Sequence, residues 1–111
     1  MNKPEVSYDE FQKLELRIGK VLKAKQVEGS KKLIHIIVDF GEETRQAVAG
    51  LLQWYNPEDL VGKKYAFVLN LERRTLMGIE SQCMILAAED ENNNLAALQP
   101  EREVAEGSKI C

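Results

Sequence analysis

The order of strand and helix signals along this chain restricts the fold it can adopt. Five segments are rich in apolar and β-branched residues and are separated by glycine, proline or acidic turns, which is typical of short β-strands. The sequence NPEDLVG lies between the third and fourth segments. It predicts a single helical turn, with Asn56 as its cap, Pro57 at its first position and Gly62 as its terminator. The five segments are 16–27, 32–41, 45–52, 63–71 and 81–89.

This order predicts an all-β fold, a five-stranded Greek-key barrel of the oligonucleotide/oligosaccharide-binding (OB) type. At 111 residues and 44% hydrophobic content, the chain is expected to form one domain with a single core. The barrel is placed at about 12–89. The remaining residues, 90–111, contain a short apolar strand at 95–98 and are not needed to close the barrel.

Two local features refine this expectation. The sequence SYDEFQKLEL predicts a short helix before the barrel, with Ser7 or Asp9 as its cap. In the first strand, the alternation of apolar residues breaks at Gly19-Lys20, which predicts a bulge or bend there.

Composition and motifs point away from several classes of protein. No apolar run approaches the roughly 20 residues that span a bilayer, and the N-terminus lacks a secretory pattern, so we expect a cytoplasmic protein. Cys83 is predicted to be a small buried residue and Cys111 a free thiol. One histidine and two distant cysteines offer no metal site, and His35 is predicted to be structural or surface-exposed. We therefore expect no cofactor, no metal and no enzymatic activity.

The charges are segregated along the chain. Residues 13–32 contain seven basic and two acidic side chains, and residues 89–106 contain six acidic side chains and one arginine. From charge alone, both runs are typical of solvated surface. However, an OB barrel binds its ligands with the loops that join strands one to two and four to five. Those loops are EGSKK at 28–32 and ERRTLMGIE at 72–80, and both carry adjacent basic residues. The pattern therefore favours a nucleic-acid groove between them.

Four motifs in order resemble a known family: FQKLELRIGKVLKAKQVEGSKKL, AVAGL, LVGKKYAFVLNL and LMGIESQCMILAA. They are similar to the tRNA-binding domain found at the C-terminus of many methionyl-tRNA synthetases, in the endothelial monocyte-activating polypeptide, and as free-standing dimeric tRNA-binding proteins. The resemblance covers 11–111. It implies a non-catalytic barrel that recognises the overall shape of tRNA, acting as a free dimer or as a detached synthetase subunit.

The resemblance also implies a set of nucleic-acid-binding residues on the two loops. The family usually reads Asn-Leu-Lys-Pro-Arg-Lys where this chain has NLERRT, so Glu72 replaces a lysine, Arg73 a proline and Thr75 a lysine. An alternative for Asn70 and Ser81 is that they bond the backbone of their own loop. The predicted binding residues are Lys31, Lys32, Asn70, Arg73, Arg74, Gly78, Ser81, Gln82 and Met84.

For a free-standing chain, the resemblance further implies a homodimer formed with a C-terminal dimerisation extension, 90–111. Leu95, Leu98 and Val104 are expected to be exposed on a monomer and buried against the second copy. The implied partners are tRNA, a second copy of the chain and, for a detached subunit, methionyl-tRNA synthetase. Two alternatives remain, namely an export-related chaperone with the same barrel and a module that docks a synthetase.

Overall fold

The computed structural model describes all 111 residues. No helix in it has the length and apolar character needed to cross a membrane. The elements are α1 Tyr8–Gln12, β1 Leu16–Gln26, β2 Ile34–Asp39, β3 Thr44–Ala49, a 3-10 helix Pro57–Leu60, β4 Lys64–Val68, β5 Arg74–Leu76, β6 Ile79–Ser81, β7 Met84–Ile85, β8 Ala87–Glu89 and β9 Leu95–Ala97.

The predicted five-stranded barrel is confirmed. Its strands are antiparallel neighbours in the order β3-β2-β1-β4-β7, and the barrel nearly closes where the Gln82 N–H donates to the Gln46 carbonyl at 2.9 Å. The alternating inward residues of β2 form much of the core. Phe67 packs edge-on against Phe40 with ring centroids 5.4 Å apart, and Leu60 of the 3-10 helix is fully buried. The side chains that fill the barrel include Val21, Ile34, Ile36, Val38, Leu60 and Phe67.

The irregularity in β1 lies two residues after the predicted position. The pairing register with β2 shifts between Val21 and Lys23, so the bulge is at Leu22 rather than at Gly19-Lys20. Gly19 has a different role, because a Cβ at this position would lie 2.4 Å from the Val38 side chain. The close approach of Val38 therefore requires a glycine at position 19. The bulge at Leu22 is a separate feature of the strand.

The helical predictions hold with one change. Ser7 caps α1, since its side-chain oxygen accepts the Glu10 N–H at 3.1 Å. The turn predicted in NPEDLVG is a 3-10 helix that ends before Gly62, which has a φ of +85°. Asn56 occupies the cap position but its side chain makes no capping hydrogen bond.

The segment predicted as a loop at 72–80 is a β-hairpin. β5 pairs with β6 around the two-residue turn Met77-Gly78, and both turn residues have positive φ, as this tight class of hairpin requires. The fifth predicted strand, 81–89, is interrupted: Ser81 belongs to the hairpin, β7 pairs with β4, and β8 pairs with β9.

The C-terminal segment, which is not needed to close the barrel, packs on its own barrel within a single chain. The Trp54 indole N–H donates to the Asn93 carbonyl, and the Tyr55 hydroxyl accepts the Ala97 N–H, both at 2.9 Å. These two bonds fix the β8–β9 hairpin. The final residues then run beside β1, where the Ile18 N–H donates to Ser108 O at 2.9 Å and the Gly107 N–H donates to Ile18 O at 2.7 Å.

This packing corrects part of the exposure prediction for the tail. Leu95 and Val104 are half-buried within a single chain, and Leu95 packs against the core. Leu98 is exposed, as predicted, with 43% of its surface accessible. The tail is also held by charge, because the Lys64 ammonium contacts the carboxylates of Glu103 and Glu106.

Candidate nucleic-acid interface

The turn between β1 and β2 and the hairpin β5–β6 lie side by side. A Cβ at Gly29 in the turn would lie 3.7 Å from the methyl carbon of Met77 at the hairpin tip. The turn is held by Ser30, whose hydroxyl oxygen accepts the N–H groups of Lys32 and Leu33, each at 3.1 Å. The two loops that the sequence analysis placed beside one groove therefore meet in the structure.

Three of the predicted basic residues have free side chains. Lys31 and Lys32 are exposed and make no side-chain hydrogen bond or ion pair, and the same holds for Arg74 on β5. Because such ammonium and guanidinium groups bind phosphate oxygens, free cations on two adjacent loops form a surface suited to a polyanion.

Asn70 and Ser81 make hydrogen bonds within the protein. The Asn70 amide accepts the Glu15 N–H at 2.7 Å and donates to the Lys13 carbonyl at 2.6 Å. The Ser81 hydroxyl accepts the Val48 N–H and donates to the Cys83 carbonyl, both at 3.1 Å. Both side chains fix the positions of neighbouring segments, and Ser81 ties the hairpin to β3.

Gln82 and Arg73 belong to a network that attaches the hairpin to the barrel. The Gln82 side-chain oxygen accepts the Gln46 N–H at 3.2 Å, and the Gln46 amide group donates to Glu80 O at 2.9 Å. The guanidinium groups of Arg45 and Arg73 both donate to Gln82 O. Arg73 nevertheless remains exposed, so its remaining donors face solvent. Gln46 and Arg45 were not identified from the sequence, because their partners lie 24 to 37 residues away along the chain.

A cleft opens between the hairpin and the barrel. Its apolar wall includes Met84 and Leu71, which are 46% and 45% exposed. Gly78 lies at the hairpin turn with a φ of +79°. The residues lining the cleft are Val48, Leu71, Glu72, Arg74, Leu76, Ser81, Gln82, Cys83 and Met84.

Cys83 forms part of the floor of this cleft as a buried thiol. Burial raises the pKa of Cys83 to about 12, although the positive charges of Arg45 and Arg73 act in the opposite direction. The thiol is therefore protonated at neutral pH and is not a nucleophile. No group of three or more His, Cys, Asp and Glu side chains is placed to hold a metal ion.

A second concavity lies on the outer face of β1 and β2. It is lined by Lys23, Ala24, Lys25, His35 and Ile37. The His35 Nε2 lies 3.0 Å from the side-chain oxygen of Gln46, and since that oxygen only accepts, Nε2 carries the proton. The alternation of β2 could have placed His35 and Ile37 on this face, but the lysines were read only as part of a basic run.

The chain matches the family model described as "Putative tRNA binding domain" over residues 16–109. It is 49% identical to a methionine–tRNA ligase of Archaeoglobus fulgidus over 98% of this chain, which spans only 16% of that relative. A MetRS related protein from Pyrococcus horikoshii has a similar structure, with a TM-score of 0.93 and 38% identity, covering 98% of this chain and 100% of that one. The chaperone CsaA of Bacillus anthracis is similar with a TM-score of 0.87 and 32% identity, covering 97% of this chain and 100% of that one. The chain therefore belongs to the tRNA-binding domain family, as its four motifs predicted.

Proposed function

We propose that this chain is a non-catalytic tRNA-binding protein that recognises the overall shape of folded tRNA. One observation carries the proposal: Lys31, Lys32 and Arg74 are free cations on two loops that lie side by side. They can contact neighbouring phosphates of one backbone. Phosphate contacts carry no sequence information by themselves, so the selectivity would come from how the RNA backbone is arranged in space. The compartment would be the cytoplasm, where tRNA is used.

A gel-shift titration tests this function. Folded tRNA should bind more tightly than an unstructured RNA of equal length, and its affinity should fall on the order of tenfold or more between 50 and 200 mM salt if three or four phosphates are neutralised. Equal binding of the two RNAs would rule out recognition of shape. A lack of tRNA binding at low salt would rule out the function.

We also propose that the active form is a homodimer. Leu98 is an exposed apolar side chain, and α1 has no buried residue. Around this helix, Val6, Tyr8 and Phe11 are all exposed. Apolar groups of this kind are covered at interfaces between copies. Sedimentation should give twice the chain mass of 12.6 kDa.

A matched pair of variants tests the dimer. Leu98→Lys places a charge on the proposed interface, and Leu22→Lys places the same charge on a side chain of similar exposure, 40% against 43%, in the β1 bulge. We expect Leu98→Lys to sediment as a monomer and Leu22→Lys to sediment like the parent. A parent protein that sediments as a monomer would contradict the proposal.

The second candidate function is that of an export-related chaperone, favoured by the similarity to CsaA and by the apolar cleft beside the hairpin. A third possibility, docking to a synthetase, rests on the relation to methionine–tRNA ligases. Competition separates the first two: an unfolded polypeptide should not displace tRNA if the groove serves RNA, and should displace it if the groove serves peptides.

A further inference from the structure

Two opposite charges line the cleft between the hairpin and the barrel without pairing. The Glu72 carboxylate and the Arg74 guanidinium both line it, yet neither appears in any ion pair or side-chain hydrogen bond of the structure. Six other acidic residues do pair with a cation in this chain. The cleft therefore offers an acceptor of hydrogen bonds and a cation to the same ligand.

The walls between these two charges are apolar and partly exposed. Leu71 and Met84 are exposed, Leu76 is half-buried and Val48 is buried. The cleft has a volume of about 80 Å³, which is room for roughly three water molecules, so it can take one edge of a planar ring and leaves the rest of the ring outside. Apolar side chains of this kind can contact a planar ring, because unstacked bases are held against apolar or aromatic side chains in proteins that take them out of a stack.

We propose, on the basis of the proposed function, that this cleft binds one unstacked guanine of the RNA and that Glu72 gives the preference for that base. Arg74 contacts the adjacent phosphate, and Leu71 and Met84 contact the ring. The cleft would thus add selectivity for one base to a surface that otherwise recognises only the shape of the RNA backbone.

The choice of guanine follows from the arrangement of donors on its Watson–Crick edge. Guanine presents two adjacent donors, N1–H and the N2 amino group, which match the two oxygens of the Glu72 carboxylate. Adenine and cytosine each present one amino group beside a ring nitrogen that accepts, so the second carboxylate oxygen would face a lone pair. Uracil presents one donor between two carbonyl oxygens. A carboxylate can thus form a two-bond contact with guanine alone.

Glu72 also lowers the general affinity of the cleft for RNA. In the proposed complex its negative charge lies beside the phosphate that Arg74 contacts, at a position where the resemblance implies a lysine in the family. General affinity for RNA is therefore lower than with a lysine, and selectivity for one base is higher.

The test is a titration of isotope-labelled protein with the pentaribonucleotides UUGUU, UUAUU, UUCUU and UUUUU, followed by the NMR signals of Met84 and Leu71. We expect UUGUU to bind about fivefold more tightly than the others, the lower end of the range for a two-bond base contact, because Glu72 is exposed. Replacing guanine by inosine, which lacks the N2 amino group, should give an intermediate affinity.

Three variants complete the test. Glu72→Gln should lose the guanine preference, because an amide cannot accept from both donors, and Glu72→Lys should bind all four RNAs more tightly and equally. Glu91→Gln, an exposed acid without a partner at the turn before β9, should behave like the parent. Equal binding of the four RNAs by a parent that still binds tRNA would overturn the inference and leave the proposed function intact. Binding of a lysine-containing apolar peptide in the cleft, with no shift caused by any RNA, would also overturn it.

Discussion

The C-terminal tail is rich in charge, and so is the rim of the groove, which consists of the turn between β1 and β2 and the hairpin β5–β6. Two carboxylates of the tail are paired within the protein, whereas three cations of the rim are unpaired. In the tail, Glu103 and Glu106 contact Lys64, which also donates to Val104 O at 2.6 Å. At the rim, Lys31, Lys32 and Arg74 make no contact of this kind. Charges paired within the protein contribute to its folding, whereas unpaired charges remain available to a ligand. Substitutions in the two regions should therefore affect different measurements.

The largest effect on stability is expected at Gly107. Its φ is +86°, and a Cβ there would lie 2.2 Å from the Phe40 carbonyl oxygen. Gly107→Ala should reduce the free energy of unfolding by about 3 kcal/mol, combining left-handed strain with a forced shift of the tail. Calorimetry measures this loss as a lower melting temperature.

Gly62→Ala is the matched control. Gly62 has a similar φ of +85° but no atom within 4 Å of the Cβ position, so the substitution should cost only the backbone strain, about 1 to 2 kcal/mol. If both variants lost the same stability, the close contact between the tail and the Phe40 carbonyl would not matter.

Ser81→Ala should have a moderate effect, because Ser81 lies at the rim but is bonded within the protein. Its loss leaves the Val48 N–H without a partner, which costs about 1 to 2 kcal/mol for a partly buried group. Thr75→Ala, on the exposed side of the same hairpin, should change stability by less than about 0.5 kcal/mol. Denaturant unfolding of the two variants compares them. A Ser81→Ala protein as stable as the Thr75→Ala protein would mean that the hydrogen bond between Ser81 and Val48 does not stabilise the fold.

A smaller effect is expected from pH at the tail. Hydrogen bonds from its own backbone and from Lys64 hold the pKa of Glu106 below its ordinary value of 4.5, so its stabilisation is present above pH 4.5 and is lost as the pH falls through the lowered pKa. Contact with Glu103 and Glu106 raises the pKa of Lys64 above 10.5, although burial opposes it. The stabilisation that comes from Lys64 is therefore present below pH 10.5 and is lost as the pH rises through its raised pKa.

Glu106→Gln isolates the acidic side of this dependence. The variant should melt at a lower temperature than the parent at pH 7. The difference should shrink as the pH falls from 4.5 through the lowered pKa of Glu106, below which both side chains are neutral. A difference that stayed constant down to acidic pH would mean that the charge of Glu106 does not hold the tail.

The barrel could be predicted from the sequence because its determinants are local. Alternating apolar residues in β2, the proline and glycine around the 3-10 helix, and the cap at Ser7 each act within a few residues. The hairpin was missed because Arg73, Arg74 and Thr75 face solvent and carry no apolar alternation. A two-stranded ribbon that rests on a barrel can form without that pattern.

The roles of individual site residues depend on contacts that the sequence does not reveal. Asn70 bonds the backbone of residues 55 and 57 positions away, and Ser81 bonds a strand 33 positions away. The same is true of Gly19, whose purpose is the approach of Val38. The residue type indicates that a side chain can form hydrogen bonds or that a glycine is needed. Only the fold shows which distant residue is the partner.

The salt dependence of tRNA binding tests the central claim that the unpaired cations at the rim bind RNA. The variant Lys31→Ala/Lys32→Ala/Arg74→Ala should be compared with Lys3→Ala/Lys63→Ala/Lys109→Ala, which loses the same net charge at exposed positions away from the groove. We expect the rim variant to keep the parent's melting temperature and to flatten the slope of log affinity against log salt by about two to three units. The control variant should retain nearly the full slope. Equal slopes for the two variants, or a rim variant that binds tRNA like the parent, would contradict the account.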